Sequence, residues 1–335
     1  MSKPSQETLG EERRLWTDLQ MAETLLFHAA AVTHPQAMHS LFDGIEAQGP
    51  ARDLLIRAGS GFPAESLRPE DYLARYPFSN VGAIRGVFDE LVNLGYTSRR
   101  PAGEYALTTQ GVAAVQTWMD RVAGMMSGLD MGDVSAYDVE MLVQSDVQVI
   151  EALERSEPPH ESPILRCRLQ GIGPALDAVP ALWHHWQHVW TILAASEDEE
   201  EAVRRDRGVD PLVWFIRRQL WFLDRRPWRA RARTRDELVS RAIGYAPIEG
   251  PHAACAAALD ALIEGGEVAE REGTLRLTET GLSACDQDEA EIDARLLARW
   301  PQWTPDEVGG LRDLLDRLIE RLLDLIRNQK GGSPP

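Results

Sequence analysis

Residues 88–111 read FDELVNLGYTSRRPAGEYALTTQG, and the interpretation of this stretch decides the fold. Gly95 is suited to the left-handed conformation that closes a helix. Tyr105-Ala106-Leu107 alternates as a short strand should, and Gly103 allows a tight turn ahead of it. Thr108 is placed to cap a following helix. The stretch therefore predicts a helix, a strand, a tight turn, a second strand and a new helix.

The same pattern recurs at residues 259–281, LDALIEGGEVAEREGTLRLTETG, with one residue deleted in the turn. Gly95 aligns with Gly266, Arg100 with Arg271, Gly103 with Gly273 and Thr108 with Thr278. A duplicated supersecondary unit is a stronger signal than one copy, because chance must produce it twice in register. A short helix is expected upstream of each copy. RPEDYLARYPF offers Pro69 at a first helical position, and TRDELVSRAIGYA pairs Thr234 with Glu237 at capping-box spacing. The presenting helices are expected to begin near Ser79 and Pro251. At the C-terminus Thr304, Pro305 and Glu307 open another helix, with Leu311, Leu314, Leu315, Leu318, Leu322 and Leu325 as its apolar stripe. That stripe suits either packing on its own domain or dimerisation.

The 335 residues carry a formal net charge of −18, with 44% hydrophobic and 26% charged residues, which is the composition of a globular chain. Cys167, Cys255 and Cys285 lack paired spacing, which argues against a disulfide frame or zinc ribbon and fits a reducing, cytoplasmic setting. Neither a signal peptide nor a membrane-spanning run is legible. Acid is concentrated in 130–161, 197–201 and 286–293. Base is concentrated in 217–235, where eight arginines face Asp224 alone. That segment, with Arg229, Arg231, Arg233 and Arg235, is the strongest phosphate-binding candidate; the alternative is internal pairing with the acidic runs.

WHHWQHVW, 183–190, spaces His184 and His188 as two ligands on one helix face. Helical phase puts Trp183, Trp186, Trp190 and Leu193 within about 80° of one another, and the histidines on the opposite side. The tryptophans read as the core stripe and the histidines as a face toward solvent or a neighbouring element, with the solvated face preferred. No carboxylate follows His184 as in HExxH, and a third metal ligand would have to come from elsewhere, such as His28, His34 or His160. A low-ranking alternative makes Trp183, Trp186, Trp190, Trp214 and Trp221 a pocket for a small apolar effector. No P-loop, dinucleotide loop or GxSxG motif is present, so no catalytic residue, cofactor or metal is expected.

The segments Arg68–Ala114 and Thr234–Leu323 resemble winged helix-turn-helix domains of the MarR type. The second also resembles the C-terminal segment through which those regulators dimerise. The resemblance implies a ligand-responsive transcriptional regulator that binds double-stranded DNA. Groove-facing positions then fall on Ser79, Asn80 and Arg85 and on His252 and Ala253, and wing arginines on Arg99, Arg100 and Arg271. The chain departs from the family in holding two units, in its acidity, and in a second presenting helix without basic side chains. The first unit is also similar to the N-terminal winged domain of small-molecule methyltransferases, but no nucleotide-binding glycine loop follows.

The expected fold is mainly α with two small β-wings, as tandem winged-helix domains joined by a helical connector. Its parts are an N-terminal helical segment (1–60), winged helix 1 (61–125), a Trp-rich helical connector (126–230), winged helix 2 (231–285), C-terminal packing or dimerisation helices (286–328) and a disordered tail (329–335). The expected function is DNA-binding regulation. The alternatives are a winged-helix module that binds a protein partner, and a metal- or ligand-binding helical bundle.

Overall fold

Thr108 and Thr278 each tie a helix to the turn before it by the same two hydrogen bonds. The Thr108 hydroxyl donates to Gly95 O at 2.6 Å and accepts from Gly111 N at 3.1 Å. The Thr278 hydroxyl donates to Gly266 O at 2.7 Å and accepts from Gly281 N at 3.3 Å. Gly95 and Gly266 close their helices at φ 80° and 75°, and Gly103 and Gly273 turn between strands at 77° and 74°. Glycine is needed there because a side chain disfavours positive φ.

The computed structural model describes residues 6–59, 67–72, 81–156, 181–226, 234–244 and 251–329. It is mainly helical with two small antiparallel sheets. The first half runs α1 (Gln6–Thr33), α2 (Pro35–His39), α3 (Gly49–Gly59), α4 (Val81–Asn93), β1 (Thr97–Arg99), β2 (Tyr105–Leu107), α5 (Thr109–Ser127) and α6 (Ala136–Arg155). The second runs α7 (Ala181–Asp206), α8 (Pro211–Arg225), α9 (Arg235–Gly244), α10 (Pro251–Glu264), β3 (Val268–Arg271), β4 (Thr274–Leu277), α11 (Glu279–Leu297) and α12 (Pro305–Gln329). Ser98 pairs with Ala106 in one sheet and Ala269 with Arg276 in the other. Capping boxes start α6 (Ser135 with Asp138) and α12 (Thr304 with Glu307), and Thr234 with Glu237 starts α9.

The halves are intertwined. The first helix of each half packs along the last helix of the other, α1 on α12 and α7 on α6. Secondary pairings follow the same exchange: α1 meets α5 and α11, while α7 meets α11 and α5. Within the halves, α3 packs on α4 and α5 as α8 packs on α10 and α11. These pairings thus occur twice with the roles of the halves exchanged, which is the pattern of a two-fold-symmetric pair within one chain. Helix α8, inside the expected connector 126–230, supplies Ile216, Leu220, Trp221 and Phe222 to a core with Leu238, Leu259, Leu262, Leu275 and Cys285.

The leucine stripe of α12 is covered by the chain itself. Leu311, Leu315, Leu318, Leu322 and Leu325 are buried in the main core with Trp16, Leu19 and Leu26 of α1. Of the two uses open to this stripe, packing and dimerisation, the described residues show packing on α1. No helix among the described residues is long and apolar enough to cross a membrane.

Candidate nucleic-acid interface

Helix α4 and strands β1 and β2 carry the arginines of the first unit. Arg85 Nη2 donates to Glu70 at 3.0 Å with its side chain half exposed. Arg99 pairs with Asp89 at 3.0 Å, and Asp89 also accepts from the Tyr105 hydroxyl at 2.7 Å. Arg68 bonds Glu104 at 2.9 Å across the entrance to β2. Arg100, at the tip between the strands, is exposed and has no ion-pair partner among the described residues. Ser79 and Asn80 lie outside the described residues.

The second unit presents a different face. Helix α10 exposes Ala253, Ala254, Ala257, Asp260 and Ala261. Alanines have no donor or acceptor to read a base edge. His252 lies in α10, but its side chain is not described. Arg235 forks between Asp260 at 2.8 Å and Glu270 at 3.3 Å. Arg271 and Arg276 on the strand pair are exposed, with no ion-pair partner among the described residues. Arg100 and Arg271, aligned in sequence, are thus alike in being unpaired at the tips of equivalent strand pairs.

The described arginines of 217–235 are engaged within the chain, Arg218 and Arg226 in the interior and Arg225 at the surface. Arg217 pairs with Glu267. Arg218, with its side chain 7% exposed, holds Glu289 at 2.5 Å and Glu200 at 3.1 Å. Arg225 pairs with Asp286, and buried Arg226 with Glu289 and Gln20. Burial opposes the Arg218 charge, but Glu200 and Glu289 outweigh it and raise its pKa. All five described arginines of 217–235 are therefore neutralised within the chain, as the internal-pairing alternative predicts; Arg229, Arg231 and Arg233 lie outside the described residues. The signal was legible in spacing. Asp286, Glu289 and Asp293 share one face of α11, and Arg218 and Arg225, seven apart, share one face of α8.

The tryptophans divide into two groups. Trp183, Trp186 and Trp190 stack at 5.3 and 4.9 Å and pack against Trp118 of α5 and Phe27 of α1. Trp214 and Trp221 stand apart, donating to Glu200 at 2.7 Å and Asp286 at 2.8 Å. The five do not line one pocket. A cleft of about 370 Å³ instead lies between α1 and α12, lined by Arg13, Arg14, Thr17, Asp18, Arg312 and Asp316. Its charged walls do not suit an apolar ligand.

His184 and His188 correct the expectation of a solvated face, since they are only 8% and 3% exposed. The reason is tertiary. Helices α1, α5, α6 and α11 all pack on α7, and both of its stripes are interior. Burial, then His184 and His185, depress the His188 pKa to about 4, leaving it neutral at ordinary pH. Among the described residues no group of three His, Cys, Asp or Glu side chains is arranged to hold a metal. Sequence reasoning missed Asp146, which lies fully buried beside His185 at 2.7 Å. Its only signal was a charge at a core-facing position of α6.

Compared with protein-family models, curated proteins and solved structures, the chain finds no match.

Proposed function

We propose that this chain is a single-chain counterpart of a dimeric winged-helix regulator of the MarR type, and that it contacts double-stranded DNA through its two wings. The observation that carries the reading is the equivalence of Arg100 and Arg271, exposed and without an ion-pair partner among the described residues at the tips of the two strand pairs. The exchanged packing of the halves supports it, because two linked units then present two wings as one body. Contact is expected to be dominated by phosphate, with little base reading by α10. Affinity is therefore expected to be weak and steeply dependent on salt. The test is fluorescence anisotropy of labelled duplex DNA titrated with the full chain across a salt series. Affinity that is absent at low salt, where phosphate contacts emerge first, overturns the reading.

A second reading is a winged-helix module that binds a protein partner. It is favoured by the internally neutralised arginines and the alanine face of α10. A duplex titration without salt-sensitive binding shifts the balance to it. In both readings the aromatic stack acts as core.

A further inference from the structure

Helices α1 and α12 present the same charge spacing on the two walls of the cleft between them. Arg14 and Asp18 stand four apart on α1, and Arg312 and Asp316 stand four apart on α12. Opposite charges at that spacing share one helix face and commonly pair. Neither pair is closed. Arg14 reaches Glu11 at 3.4 Å instead, and Arg312 crosses the cleft to the same Glu11. Arg312 Nε also stands 3.8 Å from Asp18 Oδ2, which is beyond a hydrogen bond, and it is buried without one. Among the described residues Asp18 and Asp316 accept no hydrogen bond at all. Arg13 borders the cleft, but its Nε is committed to buried Asp293 at 2.6 Å.

The walls are therefore mixed in charge and incompletely paired. Burial and the neighbouring Asp316 push the Asp18 carboxyl up to about 6, and Arg312 and Arg14 offset this only in part. A lone anion in the cleft meets Asp18 and Asp316, and a lone cation meets Arg14 and Arg312. Only a molecule that carries both charges finds an opposite charge on each side. The volume of about 370 Å³ is in the range of small-molecule sites. Opposite wall charges as near as 3.8 Å call for a ligand whose own charges are close together. An ammonium and a carboxylate joined through one carbon meet that condition.

We propose that the α1–α12 cleft binds a free α-amino acid, with its carboxylate held by Arg14 and Arg312 and its ammonium by Asp18 and Asp316. Hydrogen bonds between ionised partners are the strong ones. The ligand ties the first helix of the chain to the last, so occupancy stabilises the folded state by mass action. The site stands whether or not the chain binds DNA, because neither wing lines it.

The test is isothermal calorimetry of the full chain at pH 7.5 with each of the common α-amino acids, and with acetate and methylamine as single-charge controls. At least one amino acid is expected to bind saturably and about tenfold or more tighter than either control, since each control forgoes a charged hydrogen bond. Arg14→Gln and Asp18→Asn are each expected to weaken that binding about tenfold or more for the same reason. Arg327→Gln, on exposed surface of the same helix α12, is expected to leave it unchanged. Asp18→Asn relieves a buried charge, so its loss of affinity is not a loss of fold. Where either variant fails to fold, the other variant and the single-charge controls decide. Acetate or methylamine binding as tightly as the best amino acid, binding that survives both substitutions, or no saturable binding by any amino acid overturns the proposal.

Discussion

A Cβ built on Gly111 would stand 2.1 Å from the carbonyl oxygen of Tyr96. Gly281 stands in the same relation to Glu267, at 2.3 Å. The glycine that ends each LT-x-x-G motif is therefore fixed by contact between backbones, with a capping threonine three residues before it. It lets the helix pass directly over the turn that closes the preceding one.

Gly111→Ala and Gly281→Ala are each expected to destabilise the protein by about 2–4 kcal/mol, since neither backbone can yield without breaking the cap. Gly124 and Gly309, on exposed helix surface, meet nothing within 4 Å. Alanine there is expected to stabilise by about 0.5–1 kcal/mol through helix propensity. Urea unfolding of the four variants checks both signs together.

Glu289 is 2% exposed and serves both Arg218 and Arg226. Glu289→Met leaves those buried guanidiniums without their shared counter-charge and is expected to cost about 3–5 kcal/mol. The result is informative because Met119 occupies the equivalent place on α5, partly buried against the apolar core. Chemical denaturation measures the loss.

Burial, reinforced by Asp316 and opposed by Arg312 and Arg14, pushes the Asp18 carboxyl from 3.8 up to about 6. The folded state thus holds a proton that the unfolded state has released between those values. Stability falls as pH rises through that window, and the penalty is complete above pH 6. Asp18→Asn is expected to stabilise the protein by about 1–2 kcal/mol at pH 7.5, after discount for partial exposure, and to have little effect at pH 3.5. Denaturation midpoints at the two pH values separate these outcomes.

In the duplex titration, Arg100→Ala and Arg271→Ala are each expected to lower the slope of log affinity against log salt by about one. Arg217→Ala, whose side chain is engaged with Glu267, is expected to leave the slope unchanged. Glu70→Gln releases Arg85 and is expected to raise affinity and slope, at a stability change of about 0.5 kcal/mol or less. Equal slopes for all four variants and the wild type exclude the wings as the contact.

The sequence by itself determined the local devices. The turn glycines, the capping threonines, the short strands and the duplication were legible because each depends on backbone conformation or hydrogen bonds within a few residues. Thr108, Thr278 and the Thr304–Glu307 box stand where their spacing placed them. Only the tertiary structure decided what the long-range charges and helix faces meet. Net charge and local arginine density are sums, and they do not reveal that Arg218 and Arg226 close on Glu289 from α11. Helical phase separated the tryptophans from the histidines of α7, yet it could not decide between solvent and a neighbouring element for the His184 and His188 side, which the packing of four helices on α7 leaves buried. The exchange of end helices between the halves joins residues nearly 300 positions apart, such as Arg13 of α1 and Asp293 of α11, which are 280 apart in sequence. No local pattern encodes that partnership, because it arises from two amphipathic halves burying their remaining apolar faces on each other.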